Sequence, residues 1–92
     1  MDRNLKNFLF HEVPLKVFLE ILKGNTKSIT KIRKETRRNY GRIVQCLKIL
    51  EENGVIKTVK RSREREIVLT KKGQVIGQKL KELLNVIDSP LP

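Results

Sequence analysis

The spacing of apolar residues changes at Gly54, and this change restricts the folds open to the chain. Before it, apolar residues recur at i, i+3, i+4 and i+7, which is the period of one buried helix face: Ile43, Cys46, Leu47 and Leu50. After it, "VIKTVKR" and "EIVLT" are rich in β-branched residues and bracket the polar "SRER", which predicts a β-hairpin. A helix followed directly by a hairpin is therefore the central unit of the chain.

Three more helices are predicted, over about residues 13–24, 29–36 and 71–87. The first has Pro14 in its opening turn and ends at Gly24, and both residues are typical of helix boundaries. Asn39 is expected to cap the helix that ends before Gly54, and Thr70 is expected to cap the last helix, because short polar side chains satisfy the first free backbone N–H groups.

The predicted order is helix, helix, helix, strand, strand, helix, which is a mainly α fold with a small β-hairpin (α+β). The segment "NTKS", 25–28, is expected to be a loop. A short helix and a longer one, about 39–53, joined by three or four residues form a helix-turn-helix, and the hairpin makes it a winged helix-turn-helix. The 92 residues allow one domain, with its core in about 13–70 and a dimerisation helix in about 71–87.

Positive charge is concentrated in the middle of the chain. The whole sequence has 21 Lys+Arg against 10 Asp+Glu, a net charge of +11. Residues 27–72 hold 15 Lys+Arg against 5 Glu, a net of +10, so the two ends are nearly neutral. A local cationic field of this kind suits a polyanionic partner, although a solubilising surface is the simpler alternative.

The helix at about 39–53 is the predicted DNA-reading element. Helix-turn-helix proteins place the N-terminal part of their second helix in the major groove. Arg42 is a candidate for contact with guanine and Gln45 for contact with adenine, while Gly41 lets the backbone approach closely. Tyr40 is assigned to the same set, with packing against the domain as an equal alternative.

A second set of residues is expected to hold the DNA backbone without reading sequence. In the hairpin, the strand alternation turns Ile67 and Leu69 inward, so the four cations within six positions are expected at the tip and on the outer face. From there the wing would lie along the DNA backbone or in a minor groove. Glu64 and Glu66 alternate with them, so cross-strand pairing is another use for part of the cluster. The expected backbone and wing contacts are Lys31, Arg33, Lys34, Arg37, Arg38, Asn39, Lys48, Lys60, Arg61, Arg63 and Arg65.

The last helix has more apolar surface than the core of a small winged helix can cover. The first helix is apolar around much of its circumference, and such a helix is usually covered on two sides. Together they predict a two-fold homodimer interface, the alternative being that the last helix folds back on its own domain. The expected interface residues are Val17, Ile21, Ile76, Leu80, Leu83, Leu84 and Ile87.

Motifs of enzymes and metalloproteins are missing from the sequence. The single histidine, His11, and the single cysteine, Cys46, form no cluster at metal-ligand spacing, and there is no glycine-rich phosphate loop or Ser-centred nucleophile motif. We expect no enzyme activity, no cofactor and no metal, and a chain of this length leaves little room for the pocket of a small-molecule effector. One cysteine, and an N-terminal apolar run too short for a signal peptide or a membrane span, predict a cytoplasmic, nucleoid-associated protein with no membrane partner.

Two runs, "RIVQCLKILEENGVI" and "REIVLTKKG", resemble the recognition helix, wing and final helix start of MarR-like winged-helix regulators. The resemblance covers about residues 13–87 and is greatest to the compact archaeal and archaeal-virus members. It implies a homodimeric, DNA-binding transcriptional regulator. The turn "ETRR" departs from the small and apolar residues usual at that point of the family.

The sequence thus predicts a homodimeric regulator that binds double-stranded DNA sequence-specifically. An architectural or chromatin protein that binds DNA without sequence preference would use the same basic surface and is the alternative. A winged helix that binds RNA or protein is a third possibility. It is less favoured because few aromatic residues are available to stack on single-stranded bases.

Overall fold

The computed structural model describes residues 2–24, 26–61 and 64–89. These residues form the predicted winged helix-turn-helix with one additional helix and one additional strand. The elements are α1 (Leu5–Leu9), α2 (Glu12–Leu22), β1 (Thr26–Ser28), α3 (Ile29–Thr36), α4 (Tyr40–Glu52), β2 (Ile56–Arg61), β3 (Glu64–Leu69) and α5 (Lys71–Asp88).

The helix boundaries follow the predicted capping residues. The Asn39 side chain accepts a hydrogen bond from the Arg42 N–H at the start of α4, and the Thr70 hydroxyl accepts one from the Gly73 N–H at the start of α5. Gly54, just beyond α4, has a φ of 71°, a left-handed conformation that glycine adopts without steric cost. Both predicted caps are confirmed.

Helix α1 was not predicted, because it has only five residues and too few turns to show a helical period. Asn4 caps it by accepting a hydrogen bond from the Lys6 N–H. Phe8 and Leu9 are buried in the core, whereas Phe10, just after the helix, is exposed. The hydrophobic core therefore begins before residue 13.

Strand β1 replaces the loop predicted for 25–28. It pairs antiparallel with β3, and the sheet order is β1-β3-β2. The partners are Thr26 with Val68, Lys27 with Ile67, and Ser28 with Glu66. Ser28 also caps α3 by accepting a hydrogen bond from the Lys31 N–H. A three-residue strand is too short to show the alternation by which strands are predicted.

Helix α2 is surrounded by its own chain, contacting α1, α3, α4 and β3. Val17 is 0% exposed and Ile21 is 2% exposed, so neither side chain has surface left for a partner. The prediction that these two residues lie at a dimer interface is therefore wrong. The helix is covered on two sides as predicted, but by the domain itself.

Helix α5 packs its first half on the body through Gly73, Gly77 and Leu80, which are all buried. Leu80 is thus a core residue and not the exposed interface residue predicted. Other apolar residues of α5 face outward, and they are Val75, Leu83, Val86 and Ile87. Ile76 and Leu84 are partly buried and pack against the core.

None of the helices within the described ranges is long and apolar enough to cross a membrane.

Candidate nucleic-acid interface

Helix α4 separates its residues onto two faces as the sequence predicted. Its apolar stripe is buried, and comprises Ile43, Cys46, Leu47 and Leu50. Its opposite face is exposed, and carries Gly41, Arg42, Gln45 and Lys48. Burial raises the pKa of the Cys46 thiol, so this residue behaves as a small hydrophobic side chain. The helix is held by one face and offers the other for docking.

The N-terminal end of α4 is cationic. The guanidinium carbon of Arg33 lies 5.9 Å from the centre of the Tyr40 ring, within the range of a cation–π contact. Tyr40 is 48% exposed, so it lies at the surface and is not the packed core residue of the alternative prediction. The position of Tyr40 places the Arg33 charge next to the free N–H groups at the start of α4. The charge and the N–H groups both favour binding of an anion.

The turn between α3 and α4 is tight. Arg37 has a φ of 55°, in the left-handed region, and its N–H donates to the carbonyl oxygen of Arg33 at 2.8 Å. The Thr36 hydroxyl donates back to the carbonyl of Ile32. The departure of "ETRR" from its family therefore has a structural counterpart, since an arginine occupies a backbone conformation that favours glycine.

Arg38 is not the free cation that was predicted to contact phosphate. Its Nη2 atom lies 2.6 Å from the Glu12 Oε1 atom at the start of α2, and the side chain is only 34% exposed. Glu12 also pairs with Lys16 at 3.1 Å. Lys16 above all, and Arg38 in addition, lower the pKa of the Glu12 carboxyl. Arg38 therefore connects the turn to α2.

The wing presents two cations on the side of α4. Lys60 of β2 lies directly opposite Arg65 of β3, and both are exposed. Because side chains alternate along a strand, they share a face with Thr58, whose hydroxyl donates to Glu51 of α4 at 3.3 Å. The prediction that these cations lie on the outer face of the hairpin is wrong. Lys60 and Arg65 lie on the sheet face that is turned toward α4, at the part of the hairpin that extends beyond the core.

Two other predicted wing residues fall outside the described part of the structure, namely Arg63 and the side chain of Arg61. Of the remaining predicted contacts, Asn39 serves as the α4 cap, while Lys31, Lys34, Arg37 and Lys48 are exposed.

The two carboxylates in the last turn of α4 are both engaged. Glu51 accepts the hydrogen bond from Thr58. Glu52 forms an ion pair with Arg3, whose Nη1 atom lies 2.6 Å from the Oε2 atom of the carboxylate. The negative charge on this side of the domain is thus partly balanced by side chains of other elements.

The N-terminal segment, residues 2–11, lies beside α4, a position that no sequence pattern indicates. The Asn53 side chain donates to the backbone carbonyl of Arg3 at 3.1 Å and to that of Ile49 at 2.8 Å. A cleft of about 390 Å³ is lined by Asp2 and His11 of this segment, by Pro14 of α2, and by Arg42 and Gln45 of α4. Two of the predicted base-reading residues therefore have N-terminal neighbours.

No cluster of His, Cys, Asp or Glu among the described residues could hold a metal ion.

Helix α4 has one buried face and one exposed cationic face, and it stands between a short helix and a basic hairpin. This arrangement defines the helix-turn-helix class of DNA-binding folds. The model of the winged helix-turn-helix family matches residues 14–88. This chain belongs to the winged helix-turn-helix family.

Solved structures with this fold include archaeal and bacterial proteins. AF1382 from Archaeoglobus fulgidus is 26% identical to this chain with a TM-score of 0.79, and the match covers 92% of this chain and 97% of that one. Reduced AbfR bound to DNA is 26% identical with a TM-score of 0.71, covering 96% of this chain and 62% of that one.

A MarR family protein from Bacillus stearothermophilus is 17% identical with a TM-score of 0.69, covering 95% of this chain and 66% of that one. The MarR-like resemblance is thus confirmed at the level of the fold. None of the curated proteins matches the sequence.

Proposed function

We propose that this protein is a transcriptional regulator that binds double-stranded DNA sequence-specifically as a homodimer. The observation that carries the proposal is the common orientation of two elements. The exposed face of α4 bears Arg42 and Gln45, and the wing cations Lys60 and Arg65 extend the same side of the domain. One DNA duplex would meet both elements at once.

Base reading is assigned to the first turns of α4. Arg42 would donate two hydrogen bonds to the N7 and O6 atoms of guanine, whereas the Gln45 amide would donate one to N7 of adenine and accept one from its amino group. Gly41 leaves room for the backbone to approach. Tyr40 lies at the edge of this surface, beneath Arg33.

Phosphate contacts are assigned to the exposed cations around this helix. The opposition of Lys60 and Arg65 supports the assignment, because like charges directly across two strands destabilise a hairpin and a polyanion relieves their repulsion. AbfR, which has this fold and is 26% identical, was solved bound to DNA. The proposed set is Lys31, Arg33, Lys34, Arg37, Lys48, Lys60 and Arg65.

The dimer is assigned to α5. Its outward apolar residues Val75, Leu83, Val86 and Ile87 lie on one side of a helix of 18 residues, which is about 27 Å long. Exposed apolar surface of this extent is typical of a protein–protein contact. Two-fold pairing of α5 would present two copies of α4 to half-sites roughly 34–36 Å apart.

Selection from a pool of random DNA duplexes, at about 0.2 M salt, where non-specific phosphate binding is weakened, tests the proposal. A regulator would enrich a two-fold symmetric motif, and Arg42→Ala would lose preference at particular base pairs. Lys81→Ala, which removes an exposed cation from the polar side of α5, is the control and should enrich the same motif. Retention of DNA without an enriched motif would instead establish the architectural alternative, and no retention would contradict DNA binding altogether.

A further inference from the structure

The N-terminal segment flanks the exposed face of α4 along its length. Near the start of α4, the cleft of about 390 Å³ is lined by Asp2, His11, Arg42 and Gln45 among others. Further along, a second cleft of about 190 Å³ is lined by Arg3, Gln45, Lys48 and Ile49. Gln45 borders both clefts, so the side chain expected to read a base stands between two stretches of the N-terminal segment.

This segment is fixed in place by backbone and side-chain contacts. The Asp2 carboxylate accepts hydrogen bonds from the Asn4 N–H at 2.8 Å and from the Asn7 side chain at 3.1 Å, and these bonds lower the pKa of Asp2. The Arg3 carbonyl accepts a hydrogen bond from Asn53. Ile49 is 3% exposed although it lies toward the outward side of α4, and it belongs to the same buried cluster as Phe8 and Leu9.

The Arg3 side chain places a positive charge beside Glu52, on the face of α4 that is proposed to meet DNA phosphates. Glu52 lies on the same face of α4 as Lys48 and Gln45, one turn and two turns beyond them. An unpaired carboxylate there would face the phosphates of a duplex docked on α4. Arg3 pairs with it through two contacts from one nitrogen, and both side chains remain at least half exposed.

We propose that the N-terminal segment 2–11 forms one wall of the DNA-binding surface, and that Arg3 neutralises Glu52 so that α4 accepts DNA phosphates. The inference rests on the proposed DNA binding by α4. Arg3 acts through Glu52 and is a positioning residue, not a phosphate ligand itself.

The test is a double-mutant cycle on DNA affinity, with the selected duplex as the probe. Arg3→Ala uncovers the Glu52 carboxylate and should weaken binding by about three- to tenfold near 0.1 M salt. Glu52→Gln in the Arg3→Ala background should restore affinity to within about twofold of the wild type, since the pair of charges is then removed together. Because the Asn53 bond uses the Arg3 backbone, and exposed ion pairs contribute little to stability, thermal unfolding should be nearly unchanged.

The matched control is Lys81→Ala, which removes one exposed positive charge from the polar side of α5. This variant should leave affinity within about twofold of the wild type, because it lowers the net charge by the same amount as Arg3→Ala but away from α4. An equal loss of affinity in both variants would reduce the role of Arg3 to net charge and overturn the inference.

Three other results separate the possible failures. If Glu52→Gln fails to rescue Arg3→Ala and the salt slope falls by about one, Arg3 contacts a phosphate directly and the neutralising role is wrong. If Arg3→Ala has no effect while Arg42→Ala weakens binding, the N-terminal wall is wrong and the proposed function stands. If the wild type binds no duplex, the proposed function itself fails.

Discussion

Gly73 lies against the backbone of Val55: a Cβ atom built on Gly73 would stand 2.1 Å from the Val55 carbonyl oxygen. The same oxygen accepts hydrogen bonds from the Thr70 N–H at 3.1 Å and from the Thr70 hydroxyl at 3.0 Å. It is therefore fixed by the cap of α5 and cannot move away from an added methyl group. The first turn of α5 docks on the domain only because residue 73 has no side chain.

Gly73→Ala is expected to destabilise the protein although alanine is the better helix former by about 1 kcal/mol. The overlap with a fixed carbonyl should dominate, and we expect a net loss of about 2–3 kcal/mol in the free energy of unfolding. Gly77→Ala is the matched variant. Its Cβ would stand 2.3 Å from the end of the flexible Leu22 side chain, so its loss should be smaller. Urea unfolding of both variants provides the measurement, and equal stability of the two would contradict this account.

Arg37→Gly should stabilise the fold and weaken DNA binding. Residue 37 is in the left-handed region, which costs an L-residue about 1–2 kcal/mol, and glycine removes this cost while increasing the entropy of the unfolded chain. A net gain of about 0.5–1 kcal/mol is expected. Arg37→Ala removes the same charge but keeps a Cβ, so it should lose DNA affinity equally and gain no stability. A gain in both variants would show that the charge, and not the backbone, causes the effect.

The sequence predicted those parts of the fold whose signals are local. The caps Asn39 and Thr70, and the change of period at Gly54, follow from hydrogen-bonding chemistry within a few residues. Helix α1 and strand β1 are each too short for their apolar residues to repeat at a recognisable helical or strand spacing. Their formation depends on burial and strand pairing with residues distant in the chain, which a single sequence does not reveal.

The candidate site shows the same division between local and distant information. The exposed face of α4 was predicted from the helical wheel, whereas the face occupied by Lys60 depends on the register of the sheet. An apolar helix surface does not specify what covers it. The sequence therefore predicts a partner chain over Val17 and Ile21, whereas the structure shows that their own domain covers them. The "GQVIG" spacing of Gly73 and Gly77 was a readable signal of close helix docking that the sequence interpretation missed.

Leu83→Glu combined with Ile87→Glu should produce a monomer if α5 forms the dimer interface. Both side chains are exposed, Ile87 at 66%, so the charges should disrupt association without disturbing the core. Leu80 is unsuitable for this test because it is a core residue. Sedimentation velocity measures the outcome, and Gln78→Glu with Asn85→Glu adds the same charge to polar positions of α5 as a control. A double variant that sediments as the wild type does would remove α5 from the interface.

Lys60→Glu should strengthen the wing and weaken DNA binding at the same time. It replaces a like-charge pair by an opposite-charge pair with Arg65, and such cross-strand pairs contribute about 0.2–1 kcal/mol. Lys57→Glu is the control, because Lys57 is exposed on β2 but lies opposite Val68 on the other face. Hydrogen exchange of the strand amides and DNA titration report the two effects. Equal loss of affinity in both variants would show that the face of the wing is irrelevant.

The last turn of α5 has consequences for how the protein responds to its own abundance. Residues 85–88 are helical yet exposed, and short helix ends without tertiary packing are marginal in water. In the proposed dimer, ordering of this turn and association of two chains are one equilibrium, so both follow the concentration of the protein. Occupancy of a two-fold DNA site would then rise with nearly the square of that concentration, and a modest change in synthesis would act as a switch.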